Sequence, residues 1–536
     1  MLFVRPCIYF VSLFALASSG SGQNEIWKAT ASDGSTLEHF GNAVAVDGPF
    51  ALVAAMHDGD NGSKTGAAYM FNRYTGVELF RIDDIAPEPS DIFGFDLAME
   101  GDLVIVGVCH DNELGVNAGA VTVHDTATGA LLRTLRASDG DVGDHFGNAV
   151  AISGGIAMIG ELEDLENGKS SGSAFLFDVN TGAELFKLTP ADGSKNDQFG
   201  RTVAISGDWA MAGAWKDNMG GGGGADSGSV YVYEVSTGQL LHKLLASDRQ
   251  PGDLFGHCLA QEGSLALIGA PFADALGSDS GAAYLFDVNS GQELQKLIPS
   301  DGQAFDQFGW SAAIDGGVVA VSAPGASVQA GAVYLFDLST GQELAKITAS
   351  DGANFDLFGT DVALDSGGLL VGAMNDGDLG LESGSAYMID LWDGCMSKYC
   401  TQLDGSPNNT AVLDASGCDL SSPIFLDLSM APPGQFTYLL VGSSTGVIND
   451  PAGALGDLCL VGGLLSRYRL DMGSTSASGT FSVNISNSNS GGPGFGIPSS
   501  GGAAIQAGET WNFQYWFRNA GGAPSGFSEA ISVNFE

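Results

Sequence analysis

Residues 255–297 read FGHCLAQEGSLALIGAPFADALGSDSGAAYLFDVNSGQELQKL. Four short runs of strand-forming residues stand out in them, at 257–261, 265–270, 282–287 and 292–297. The first two flank a tight turn at Glu262-Gly263 and the last two flank Asn289-Ser290-Gly291, both of which are hairpin signals. The stretch therefore reads as one unit of four antiparallel strands. Its third strand carries bulk, Tyr284-Leu285-Phe286, whereas the first two are made of smaller residues. A wedge-shaped sheet, thin at its inner edge and thicker further out, needs that gradient.

The Phe-Gly pair that opens this unit recurs at Phe40-Gly41, Phe93-Gly94, Phe146-Gly147, Phe199-Gly200, Phe255-Gly256, Phe308-Gly309 and Phe358-Gly359, with spacings of 53, 53, 53, 56, 53 and 50. A fixed period of this length means a repeat array, and four-stranded units of this size are propeller blades. The longest interval contains the glycine run 220–224, which belongs in a loop. The seventh unit lacks a fourth strand, because 385–391 is followed by Trp392-Asp393-Gly394-Cys395. Glu25-Ile26-Trp27-Lys28 matches Glu78-Leu79-Phe80-Arg81 in character and in its distance to the next Phe-Gly, so an N-terminal strand is predicted to complete the last blade. The expected fold class is all-β: a seven-bladed β-propeller over residues 23–393, closed by that strand, then a small β-sandwich-like domain over 394–536. In the latter, 481–485 and 511–518 alternate like strands. The fourth strands carry Arg81, Arg133, Lys187, Lys243, Lys296 and Lys346, read as charges that guard each outer edge against pairing with other chains.

Acidic residues number 63 against 20 basic ones, a formal charge of -43. Such a field repels phosphate backbones and anionic head groups, which excludes nucleic acid as a partner, and it also serves solubility. Residues 1–22 read as a signal peptide: Arg5 precedes an apolar stretch at 7–17, and Ala15-Leu16-Ala17 resembles a cleavage site. The mature chain is expected to be monomeric and secreted or extracellular, with cell-surface association open. No later stretch is apolar and long enough to span a bilayer. In an oxidising compartment Cys395, Cys400, Cys418 and Cys459 are disulfide candidates, with Cys400–Cys459 and Cys395–Cys418 the favoured one of three pairings. Cys109 and Cys258 fall in different repeats and are expected to be buried single thiols.

The units resemble the FG-GAP repeats of integrin α-subunit propellers. Phe-Gly is followed by Gly269-Ala270-Pro271 in one unit, by Ser322-Ala323-Pro324 in another, and by Gly-Ala alone at Gly213-Ala214 and Gly372-Ala373. The resemblance covers about residues 24–392. It also marks a departure: many integrin-type repeats carry an Asp-rich calcium loop between strands one and two, whereas this chain has two-residue turns such as Asp47-Gly48, Ser206-Gly207 and Asp315-Gly316. The tail is similar to a module that follows repeat arrays in many secreted bacterial proteins, through Tyr399-Cys400, Pro433-Gly434-Gln435-Phe436, Gly456-Asp457-Leu458-Cys459-Leu460 and Gly508-Glu509-Thr510-Trp511.

Strand direction alternates, so the loops between strands two and three and between blades share one face, and only that face has long loops. Loops on a rigid frame are where binding usually falls. An acid stands two residues before each Phe, at Glu38, Asp91, Asp144, Asp197, Asp253, Asp306 and Asp356. Another stands seven before, at Asp33, Asp139, Asp192, Asp248, Asp301 and Asp351. The second set is the candidate ligand-binding face, a ring of carboxylates for calcium or a basic ligand. The alternative is that each serves its own loop backbone. Asp58, Asp60 and Asn61, with Asn375, Asp376 and Asp378, lie in loops that alternate Asp, Asn and Gly; they are candidate calcium ligands, or else solvated acidic turns. Calcium is the one cofactor suggested. No GxSxG, HExxH or phosphate loop is present, and the seven histidines recur without convergence. Trp511, Phe513, Tyr515, Trp516 and Phe517 form an aromatic cluster that suits either a sugar platform or a buried core. The expected function is a non-enzymatic binding or adhesion protein that recognises an extracellular protein or glycan through the long-loop face. A secreted hydrolase or lyase acting on polysaccharide and a structural surface protein are the alternatives.

Overall fold

The computed structural model describes residues 25–164, 170–218 and 226–391 with their side chains and, beyond 391, the backbone of strand segments between 396 and 534. Two compact units divide the chain, 1–391 and 392–536. The first holds seven four-stranded antiparallel sheets, the blades of the expected propeller. Blade 5 consists of Leu259–Glu262, Leu265–Ala270, Ala282–Asp287 and Gln292–Leu297. Three of these coincide with the alternation in the sequence. The first starts two residues late, because the N–H groups of Gly256 and His257 both donate to the Gly269 carbonyl, at 3.0 and 3.2 Å, and this bulge delays the regular ladder. Blade 7 contains Val362–Asp365, Gly368–Ala373 and Ser385–Asp390, and Glu25–Ala29 pairs antiparallel with the last of these, so the N-terminal strand closes the ring.

The Phe-Gly and Gly-Ala parts of the repeat meet across each seam. All seven phenylalanines are fully buried. The glycine after each has φ between +80° and +95°, a region open to glycine at no steric cost. Its carbonyl lies against the second strand of the preceding blade: a Cβ placed on Gly160 would stand 2.0 Å from the Gly200 oxygen, and one on Gly269 2.0 Å from the Gly309 oxygen. Where the second strand carries Ala54 or Ser322, the seam still keeps Gly94 or Gly359 on the other side. Missing side chains thus set the blade separation. Outside this contact each core joins two blades, as where Val230 and Val232 of blade 4 pack with Phe255, Ile268 and Tyr284 of blade 5. Each such buried side chain contributes about 1.5–3 kcal/mol.

On the tight-turn face, acidic residues cap the turn of the following blade. Asp365 Oδ2 accepts the Gly48 N–H at 2.9 Å, and Asp315 Oδ2 the Ser366 N–H at 2.7 Å. The free thiols Cys109 and Cys258 are buried. Among the described residues no helix is long and apolar enough to cross a membrane.

In the second unit, Met396–Cys400, Phe436–Gly442, Leu465–Arg467, Thr510–Arg518 and Ala530–Asn534 belong to one sheet, and Val412–Ser416, Phe425–Ser429 and Phe481–Asn484 to another. The strands expected at 481–485 and 511–518 coincide with two of these. The tail cysteine pairings, the side chains of the aromatic cluster and the leader at 1–22 lie outside the described residues.

Candidate functional site

The long loops meet on one face. Each linker between blades donates to the preceding blade's loop between strands two and three: Leu37 N–H to the Leu381 carbonyl at 2.8 Å, Gly143 to Val116 at 2.9 Å and Phe305 to Ser278 at 2.8 Å.

The six candidate aspartates on these linkers are each tied to a basic residue of their own blade's outer strand. Asp248 accepts from Lys296 Nζ at 2.6 Å and from the Tyr284 hydroxyl at 2.9 Å. Asp301 takes Lys346 and Tyr334, Asp351 takes Lys28 and Tyr387, Asp192 takes Lys243 and Tyr231, and Asp33 takes Arg81 and Tyr69. Asp139 bonds Lys187 alone, since Phe175 replaces the tyrosine. No two of the six share a partner. Burial would raise these carboxyls, but the lysine and tyrosine bonds outweigh it and hold Asp192, Asp248, Asp301 and Asp351 below the ordinary value. The outer-strand cations are therefore spent within the blade, lying over the ring of the third strand's aromatic residue at 4.8–5.5 Å. This corrects their reading as edge guards. It also removes Arg133 from the series, because Thr134 holds the equivalent register, opposite Thr122. Blade 2 lacks the network altogether, with Ala86, Thr122 and Thr134 in the three places, and it pairs Arg136 with Asp111 and Glu113 instead.

The two Asp/Asn loops build onto the same cations. Oxygens of Asp33, Asp58 and Asp60 lie within 4.8 Å of one another, and the Arg81 guanidinium bonds all three. Asn61 donates to Asp83, itself a partner of Arg81. In blade 7, Lys28 Nζ sits 2.7, 2.9 and 2.6 Å from Asp351, Asp376 and Asp378. Asn375 takes part through its backbone, donating to the Asp356 carbonyl. The acids two residues before each Phe accept the N–H three positions earlier, as Asp253 does from Gln250 at 2.6 Å. Burial pushes Asp91 and Asp197 of this set up to about 6.

Four of the seven histidines form two ring pairs, His39 with His57 at 4.7 Å and His110 with His145 at 5.0 Å. Burial pulls His57 down to about 4, which leaves it neutral at pH 7.

Among the described residues the face opens at blade 6. The loop between strands two and three of blade 6 has eight residues, 324–331, where blade 5 uses eleven, 271–281. Beneath the shortened loop lies a cavity of about 490 Å³ lined by Asp301, Phe305, Val328, Gln329, Lys346 and Phe355. Phe305, Val328 and Phe355 are 62%, 64% and 58% exposed. All three hold left-handed backbone, at φ 72°, 62° and 75°. The position three before each Phe-Gly takes this conformation in every repeat, and elsewhere it is filled by Ser90, Gly143, Asn196 and Gly252, which suit it, or by Leu37. A bulky side chain there costs about 1 kcal/mol and gains no burial to offset it. Such residues point to use rather than to folding. The spacing of 50 between Phe308 and Phe358 carried the signal for this deletion.

A family model described as FG-GAP repeat matches residues 24–71, 132–177, 183–233, 240–286, 292–336 and 342–389, more than half of the chain. The unmatched stretch between 71 and 132 spans most of blade 2, the blade that has lost the Tyr–Asp–cation network. No curated protein matches the chain.

Proposed function

This chain belongs to the FG-GAP repeat family, and we propose that it is a non-enzymatic extracellular binding or adhesion protein whose long-loop face takes up a protein or glycan partner. The observation that carries this reading is the exposed apolar triad Phe305, Val328 and Phe355 around a cavity, held on backbone that smaller residues occupy with less strain. In this reading the acidic clusters brace the loops and keep the surrounding surface soluble, while the triad supplies the apolar contact. The chain is secreted after removal of residues 1–22, which fits a family whose repeats are typical of extracellular proteins.

The test is an array of glycans and immobilised extracellular-matrix proteins probed with the full chain, beside the Phe305→Ser/Phe355→Ser variant. At least a tenfold loss of retention on the bound ligand is expected from the variant, with its thermal unfolding unchanged. Equal retention by both proteins, or turnover of a polysaccharide on the array, would sink the reading.

A further inference from the structure

The residue two positions after each Phe lies in the innermost strand or just before it, and in three blades it reaches the next blade around the axis. Asn42 donates to the Gly94 and Phe95 carbonyls, Asn148 to those of Gly200 and Arg201, and His257 Nδ1 lies 3.1 Å from the Trp310 carbonyl. Among the described residues, Lys28, Arg73, Arg81, Arg136, Lys187, Lys243, Lys296 and Lys346 each contact a carboxylate. Arg201, like Lys64, Arg133, Lys195 and Arg249, does not, and no described group bonds its guanidinium, which rests 5.0 Å above the Trp215 ring. Lys216, also without a carboxylate partner among the described residues, places Nζ 5.4 Å from the same ring. Trp215 is fixed between them by a 2.7 Å bond from Nε1 to Gln198 and by the His257 ring at 5.1 Å, which in turn contacts Trp310 at 4.5 Å.

The nearby acids leave this charge uncancelled. Asp96 is committed to the N–H groups of Leu97 and Val150, and Asp361 to the Val44 N–H and the Ser311 hydroxyl. Burial pushes Asp96 up to about 7, which leaves it partly neutralised, and raises Asp361 as well, while His257 falls to about 4 and adds no charge. Next to Arg201, Asn148 is 3% exposed and its Oδ1 accepts no bond. A chain of charge -43 thus keeps two uncommitted cations around one indole, beside an unused buried acceptor.

From this geometry we infer that the axial wall of blades 3 to 6 is a binding site for an acidic sugar of the uronate class. The Arg201 fork takes the carboxylate in a bidentate contact, Lys216 adds charge, Trp215 holds both cations in place, Trp310 offers a face for the sugar ring, and Asn148 Oδ1 accepts a hydroxyl. The site is separate from the cavity at Phe305, so it stands or falls independently of the proposed function.

Tryptophan fluorescence of the full chain tests it directly, with glucuronate as probe, glucose as uncharged control, and an N-acetylated aspartate peptide as the other carboxylate source. A saturable change is expected with glucuronate and none with glucose. Arg201→Gln should weaken the response at least tenfold, and Lys216→Ala, at a half-buried position that leaves the fold intact, about threefold. Thermal unfolding of Arg201→Gln checks that it folds; if it does not, the Lys216→Ala shift decides. No saturable response to glucuronate, an equal response to glucose, tighter binding of the peptide, or unchanged affinity in the folded variants overturns the assignment.

Discussion

The seam between blades 7 and 1 and the cavity under blade 6 are built from the same repeat, and they depart from it in opposite directions. Blade 7 is completed by a strand from the other end of the chain, so no covalent turn joins its third and fourth strands. The contacts there are correspondingly dense. Trp27 Nε1 donates to the Arg73 carbonyl at 2.6 Å, Lys28 gathers three carboxylates, and the almost fully buried Arg73 side chain bonds Asp365 and the Gly48 carbonyl on the opposite face. Blade 6 is covalently continuous and has three residues fewer in its loop, one carboxylate on Lys346, and two exposed phenylalanines. Where topology leaves the ring open, side-chain bonds close it; where the chain already closes the blade, the loop is free to thin out and bind.

The largest expected effect breaks the denser side. Arg73→Ala leaves Asp365 without its cation and frees three backbone carbonyls, those of Gly48, Asp365 and Ser366, in a site where the arginine side chain is 4% exposed. A loss of about 3 kcal/mol is expected, at the lower end for breaking a buried pair because Asp365 is partly solvated. Urea unfolding measures it, and an unchanged midpoint would show that the closing seam does not limit stability.

A smaller effect compares one residue type on both sides. The Tyr387 hydroxyl lies between Asp351 at 2.9 Å and Asp376 at 2.7 Å, whereas Tyr334 has only Asp301 at 2.8 Å, because Ala326 stands where blade 7 has Asp376. Tyr387→Phe should cost about 1.5 kcal/mol and Tyr334→Phe about 0.5–1. Equal losses in thermal unfolding would mean that the second carboxylate adds nothing.

Acid acts on the two sides with the same sign and separates them by size. Burial opposes ionisation of Asp351 and Asp301, yet their lysine and tyrosine bonds lower both below the unfolded value. Their contribution is therefore present above about pH 4 and is lost as pH falls further, through the depressed folded value. Lys28→Met and Lys346→Met should each flatten the stability profile below pH 4 by a few tenths of a kcal/mol, Lys28→Met more, since both aspartates are partly exposed. A profile that stays equally steep in Lys28→Met would remove the ion pairs from the account.

What the sequence disclosed follows from what repetition amplifies. Seven copies of Phe-Gly fix the blade count, and the match of Glu25-Ile26-Trp27-Lys28 to later fourth strands identifies the closing strand, because hairpin patterns are local and sum over copies. The partner of a fourth-strand lysine is not local. Lys296 and Asp248 stand 48 residues apart, so an edge charge and one arm of an ion pair look alike until the blade is assembled. The same holds for Trp215 and Trp310, which belong to blades 4 and 6 and are linked only through the His257 ring of blade 5. The loop of blade 6 was legible in principle, since a spacing three residues short means a shortened loop. That exposed phenylalanines would line it required the backbone angles.

The smallest expected effect on stability is the sharpest test of the open side. Replacing a phenylalanine by a small residue in a core typically costs about 3–5 kcal/mol. Phe305 sits at φ 72° with 62% of its surface exposed, so little burial is lost and the left-handed strain is relieved. Glycine loses more chain entropy on folding, by about 0.5–1 kcal/mol, which offsets most of that relief. Phe305→Gly is therefore expected to leave Tm within about 2 °C of the parent, on the side of a rise. Phe80, which covers Gly129 at the packed seam between blades 1 and 2, should behave in the ordinary way and lose stability when changed to Ala. If Phe305→Gly loses as much as Phe80→Ala, then Phe305 supports the fold after all, and the contrast between a braced seam and an open one disappears.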